Sequence, residues 1–122
     1  MAMILLATGD AATHAVFSAE LNGDGHEVLW AADGQEAYEL TLAQQPELVL
    51  LDLSLPIFDA FETCSMLRED PEVPARLPIV LLTDEDLNPR AFEKSGFSEL
   101  FPKTHQGSQL TAMTVRRLYP RD

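Results

Sequence analysis

The chain has 122 residues, enough for one domain around a single core and too few for two. Apolar residues make up 46% and charged residues 23%, the balance of an ordinary globular protein. Asp and Glu number 20 against 8 Lys and Arg, and the resulting charge of −12 argues against direct contact with nucleic acid or an anionic membrane.

Residues 3–7, MILLA, predict a short buried strand closed by Thr8-Gly9-Asp10. The leading MAMILL enters this strand without the basic flank and cleavage site of a secretory leader. A helix over residues 10–21 follows, with Val16, Phe17 and Leu21 expected inward, and Asn22-Gly23-Asp24-Gly25 ends it. Residues 27–31 form a second strand. Asp33 reads as an N-cap with Glu36 completing a capping box, opening a helix to Gln44 with Ala37, Leu40 and Ala43 inward; Pro46 stops it. Residues 48–51 give the third strand, unbroken in its apolar character up to Asp52. A helix over 58–69 carries Phe61, Cys64 and Leu67 on one stripe, so Cys64 reads as core filler. As the single cysteine it rules out an internal disulfide and fits a reducing, cytoplasmic setting. The fourth strand covers residues 78–83. A short helix over 86–95 comes next, opened by the acidic run Asp84-Glu85-Asp86 and capped by Gly96. A weak fifth strand over 98–101 and a helix over 108–118 with Leu110, Met113 and Leu118 apolar complete the chain, and Arg116, Arg117 and Arg121 read as the solvated end of that helix.

Strands alternating with helices imply a parallel sheet covered on both faces, and strands without polar alternation fit that burial. Residues 1–122 form one such domain, with no repeat, linker or stretch long enough to span a membrane. Ligands in sheets of this kind bind beyond the carboxyl ends of the strands, where strand order reverses. With the order 2-1-3-4-5, Thr8-Gly9-Asp10, Asp52, Thr83-Asp84 and Lys103 surround one crevice. A buried-strand carboxylate, a hydroxyl and an ammonium suit an aspartyl phosphate: Asp52 attacks phosphorus, Lys103 pairs with the phosphoryl oxygens and Thr83 donates a hydrogen bond to one. His14, His26 and His105 have no metal-ligand spacing and read as solvated or loop residues.

LVLLDLSLPIFDAFE (residues 48–62) resembles the phosphoacceptor segment of receiver domains of bacterial two-component response regulators, with Asp52 in the acceptor place, Pro56 the following proline and Asp59 the acidic residue of the next turn. PIVLLT puts Thr83 at that family's hydroxyl position, SGFSELFPK puts Lys103 at its lysine with Gly96 at the preceding glycine, and AADGQEAYEL is similar to its second-helix entry. The resemblance covers nearly the whole chain. It implies a flavodoxin-like α/β three-layer sandwich of five βα units, and a phosphoacceptor in a phosphorelay rather than an enzyme. It further implies a histidine kinase or phosphotransfer protein as donor, and a downstream protein or fused output domain as reader. The output would run through Thr83 and the switch position, Leu100. The resemblance also implies Mg²⁺ at the site and no organic cofactor.

The chain departs from that family at the places that hold the metal. Thr8 and Gly9 stand where the family carries two adjacent acidic residues, leaving Asp10, Asp52 and the backbone carbonyl of Ser54 as ligands, so Mg²⁺ binding and phosphorylation are expected to be weak. Thr104 rather than proline follows Lys103, Leu100 replaces an aromatic, Ala60 replaces a glycine, and the stretch from Thr83 to Gly96 is about two residues short. Asp10 also reads as the N-cap of the first helix. Three readings stay open: a phosphorylated receiver, a degenerate receiver acting as a phosphorylation-independent interaction module, and a flavodoxin-type FMN binder using Thr8-Gly9-Asp10 with Thr13. The chain is either a stand-alone regulator or one domain of a longer protein.

Overall fold

The computed structural model describes residues 1–104 and 107–120. Ten elements alternate along the chain: β1 (Met3–Ala7), α1 (Ala11–Gly23), β2 (Glu27–Ala31), α2 (Gly34–Gln44), β3 (Leu48–Asp52), α3 (Ala60–Glu69), β4 (Ile79–Leu82), α4 (Pro89–Glu93), β5 (Glu99–Phe101) and α5 (Ser108–Leu118). The five strands form one parallel sheet in the order β2-β1-β3-β4-β5, as expected.

Side chains of a strand alternate between faces, so an unbroken apolar strand needs cover on both. Ile4, Leu6, Leu48, Leu50, Val80 and Leu82 face α1 and α5, where Phe17, Leu21, Leu110 and Met113 meet them. Leu5, Ala7, Val49, Leu51, Ile79 and Leu81 face the other way, onto Ala37 of α2 and Ala60, Cys64 and Leu67 of α3. Leu87 and Phe92, beside and within α4, pack against this second layer.

Local chemistry sets the helix starts. Asp10, Asp33, Asp59 and Asn88 each accept a backbone N–H of the first turn. Asp59 and Glu62 form a complete capping box, which moves the start of α3 from Phe58 to Ala60. The box expected at Asp33 is only half made, because the Glu36 carboxylate takes the Ala32 N–H instead. The acidic run 84–86 does not open α4. The helix waits for Asn88 and Pro89, where an Asx cap and a proline at the first turn coincide, and it is five residues long.

Two inward assignments differ. In α1 the stripe is Thr13, Phe17 and Leu21, while Val16 is exposed. In α2 Thr41 is buried and Ala43 exposed; the Thr41 hydroxyl donates to the Ala37 carbonyl, which lets a polar side chain face the core. Arg116 is exposed, as expected of a solvated end, and Arg117 is partly buried, but both are also engaged. Arg116 Nη2 and Arg117 Nε hold the Glu99 carboxylate at 2.7 and 2.6 Å, fastening α5 to β5. His26 Nδ1 accepts the Ala2 N–H and His14 stacks on Trp30, whereas His105 and Arg121 lie outside the described residues.

Candidate functional site

Asp52 is the last residue of β3, between β1 and β4, and is 4% exposed. A carboxylate buried so deeply needs donors for its oxygens. Among the described residues it has three: Lys103 Nζ at 3.0 Å and Thr8 Oγ1 at 2.8 Å both donate to Oδ2, and the Ser54 N–H donates to Oδ1 at 3.2 Å. The register explains the meeting. Ala7 pairs with Leu51, so the next residue along β1, Thr8, arrives beside Asp52; Leu82 pairs with both Asp52 and Phe101, so Lys103 enters from just past β5.

In the sequence Thr8 stands at the crevice, and the family resemblance marks it as a missing acid. In the fold it is fully buried and held from several sides. Its N–H donates to Ala31 O at 2.9 Å, its carbonyl accepts Trp30 Nε1–H at 2.9 Å, and its hydroxyl oxygen accepts the Asp10 N–H at 3.1 Å. His14 stacks on the Trp30 ring with centroids 4.0 Å apart.

Asp10 belongs to α1. Its carboxylate accepts the Thr13 hydroxyl at 2.7 Å and the Ala12 N–H at 3.2 Å. The Thr13 hydroxyl, and after it the Ala12 N–H, hold its carboxyl below the usual carboxylate range. Thr83 is buried one residue beyond Leu82; its hydroxyl oxygen accepts the Glu85 N–H at 3.0 Å. Leu100 is half-buried in a groove shared with Thr83, Leu87, Phe92 and Thr104. Asp84 closes one edge of that groove by accepting both the backbone N–H and the hydroxyl of Thr104 at 3.1 Å. The structure therefore brings Asp52 and Lys103 into contact, adds Thr8, and directs Asp10 into a helix cap.

Residues 4–115 match the response regulator receiver domain family. The chain belongs to that family. Among similar proteins, the transcriptional regulatory protein AfsQ1 of Streptomyces coelicolor is 34% identical over 92% of this chain and 49% of its own length. The response regulator MprA of Mycolicibacterium vanbaalenii is 32% identical over 98% of this chain and 52% of its own. This receiver domain thus spans about half the length of these curated relatives. Among solved structures, the chemotaxis response regulator CheY4 of Vibrio cholerae superposes with a TM-score of 0.89 at 24% identity, covering 97% of this chain and 99% of that one. The receiver domain of the sensor histidine kinase PA1611 of Pseudomonas aeruginosa, solved with a magnesium ion coordinated in its active-site cleft, gives 0.87 at 24% identity, covering 96% and 97%.

Receiver domains bind Mg²⁺ at this cleft. The residues present here do not reproduce a donor set for it. Mg²⁺ takes oxygen ligands in octahedral geometry and draws on carboxylates for charge. Asp52 ends the central strand, and Lys103 and Thr8 already occupy one of its oxygens. Of the other two expected ligands, Asp10 spends its carboxylate on the cap of α1, which leaves the Ser54 carbonyl, a neutral oxygen whose residue donates its N–H to Asp52, to join it. Among the described residues no group of three or more His, Cys, Asp or Glu side chains converges on a point. No described helix is long and apolar enough to cross a membrane.

Proposed function

We propose that this receiver domain accepts a phosphoryl group on Asp52 from a phosphohistidine of a kinase or phosphotransfer protein. The observation that carries the reading is the Lys103–Asp52 pair, 3.0 Å apart at the carboxyl edge of a central strand. An Asp52 carboxylate oxygen attacks phosphorus, an O–P bond forms, and the P–N bond breaks with its electron pair going to the imidazole nitrogen. Among the described residues Oδ1 has one donor to give up, the Ser54 N–H, against two on Oδ2, so it is the freer nucleophile. Lys103 then follows the negative charge onto the phosphoryl oxygens. The Thr83 hydroxyl, whose oxygen is already held by Glu85, keeps its proton for one of them. The chain is a phosphoacceptor in the cytoplasm that is itself modified once, not an enzyme that turns over a substrate.

Its reader is an output domain in the same protein or a separate protein docking by the Thr83–Leu100 groove. DNA contact belongs to such an output domain, because this domain carries −12. The flavodoxin-type reading is disfavoured by Asp10: its carboxylate takes the Thr13 hydroxyl and would repel a phosphate at that loop.

Incubation with phosphoramidate or a phosphorylated histidine phosphotransfer protein, followed by intact-mass measurement, tests the proposal. The expected result is slow addition of one phosphoryl group, lost on hydroxylamine treatment and absent in Asp52→Asn. Labelling that persists in Asp52→Asn, or no labelling from either donor, would refute it.

A further inference from the structure

We infer that Thr8 takes the place of the divalent cation at this site, so that Asp52 is held and phosphorylated without Mg²⁺. The inference rests on Asp52 being the phosphoacceptor and adds how its charge is handled.

A backbone N–H can only donate, so where the Asp10 N–H meets Thr8 Oγ1 the hydroxyl oxygen must accept. The single hydroxyl proton is therefore directed to Asp52 Oδ2, 2.8 Å away. The Thr8 backbone is fixed by the Ala31 carbonyl on its N–H and the Trp30 indole on its carbonyl, and its fully buried side chain is held between Asp52 and the Asp10 N–H. Both ends of the Thr8–Asp52 bond are more than nine-tenths buried, where a fixed dipole on a carboxylate counts most.

The charges agree with this assignment. The Asp52–Lys103 pair sums to zero, with Asp10 outside it at the exposed start of α1 though within reach of the Lys103 charge, and a neutral donor at position 8 leaves the balance of the pair intact. A carboxylate at position 8 would make the sum negative and give a cation something to neutralise. The next position points the same way. A Cβ on Gly9 would lie 3.2 Å from Pro56 Cδ and 3.3 Å from Pro56 Cγ, tighter than ordinary contact, so the loop after β3 is packed on a bare glycine. Thr8 is a positioning residue: it acts through Asp52 and orients the carboxylate that reacts.

Two readouts test the inference. Trp30 is the single tryptophan and is bonded to Thr8, so its emission reports on Mg²⁺ added alone. Labelling by phosphoramidate is then compared in EDTA and in Mg²⁺. In the parent, emission should stay unmoved to ~10 mM Mg²⁺ and labelling rates should agree within about twofold. Thr8→Val, close in shape but without the hydroxyl, should label about tenfold or more slowly in both buffers, the worth of a hydrogen bond to a charged group. Thr8→Ser should recover most of the rate, which a purely structural role for the methyl group would not allow. Thr8→Asp should acquire a saturable Mg²⁺ response in emission. A saturable Mg²⁺ response in the parent, or parent labelling abolished by EDTA, would overturn the inference. A parent that is never labelled would instead refute Asp52 as acceptor; a flat Mg²⁺ titration in that parent, turned saturable by Thr8→Asp, would still uphold Thr8 in the cation's place.

Discussion

Replacing Lys103 by Met removes the cation and keeps the length of the side chain, which isolates the worth of the pair with Asp52. The Asp52 side chain is 5% exposed and that of Lys103 27%, so the carboxylate is left buried while the ammonium had partial access to water. Removing one partner of a fully buried pair costs ~3–5 kcal/mol. Here Thr8 and Ser54 still donate to the carboxylate and one side of the pair is open, which lowers the expected loss to about 2 kcal/mol. Asp52→Asn is not the mirror image. Its amide oxygen still accepts from Thr8 and the freed lysine rehydrates, so the cost should stay under ~1 kcal/mol. The double variant should lie close to Asp52→Asn, because Lys103 then has no buried charge to answer. Urea unfolding followed by far-ultraviolet circular dichroism measures all three, and ~2 kcal/mol corresponds to a Tm shift of roughly 8 °C for a chain of this size. Equal losses for Lys103→Met and Asp52→Asn, or a Lys103→Met variant as stable as the parent, would refute the buried-carboxylate argument.

Gly34→Ala should be strongly destabilising, by about 3 kcal/mol, because a Cβ there runs into the Phe58 carbonyl and comes within 2.5 Å of Thr63 Oγ1; Gly23→Ala, with open space around it, should gain ~0.5 kcal/mol in the same unfolding assay. Ile57 is exposed with φ of 68°, a region costly for a β-branched residue, so Ile57→Gly should raise stability by up to about 1 kcal/mol in urea titration. Burial pushes the Cys64 thiol up to about 11, so alkylation by iodoacetamide at pH ~8 should run at least ~100-fold slower than in urea, and the stability tied to this thiol is full below its ordinary value and falls as pH rises towards that figure. The lowered carboxyl of Asp10 contributes stability above the ordinary carboxylate range and loses it as pH falls through its folded value; its NMR titration midpoint should move back up in Thr13→Val, which removes the main cause.

Much of the architecture was determined by the sequence alone. Unbroken apolar strands such as residues 48–51 leave no solvent face, and helices between them force a parallel sheet with cover on both sides. Asp52, Thr83 and Lys103 were legible because a polar residue directly after such a strand has one place to be, the carboxyl edge. Helix starts were legible only where one cap competed. Asp59 and Glu62 outweighed Phe58, and Asn88 with Pro89 outweighed three consecutive acids, since a cap acts through the geometry of one turn and not through charge density.

The tertiary structure decided what each polar residue does. Glu99 gives Arg116 and Arg117, at an exposed helix end, the role of a clasp across 17 and 18 residues of chain. Thr8 and Asp52 are 44 residues apart and meet only because β1 and β3 are neighbours in a given register. The resemblance to receiver domains presents Thr8-Gly9-Asp10 as a metal site with its acids missing. The hydroxyl on Asp52 and the carboxylate turned into α1 make it a different site, because a side chain's chemistry follows from the groups packed around it.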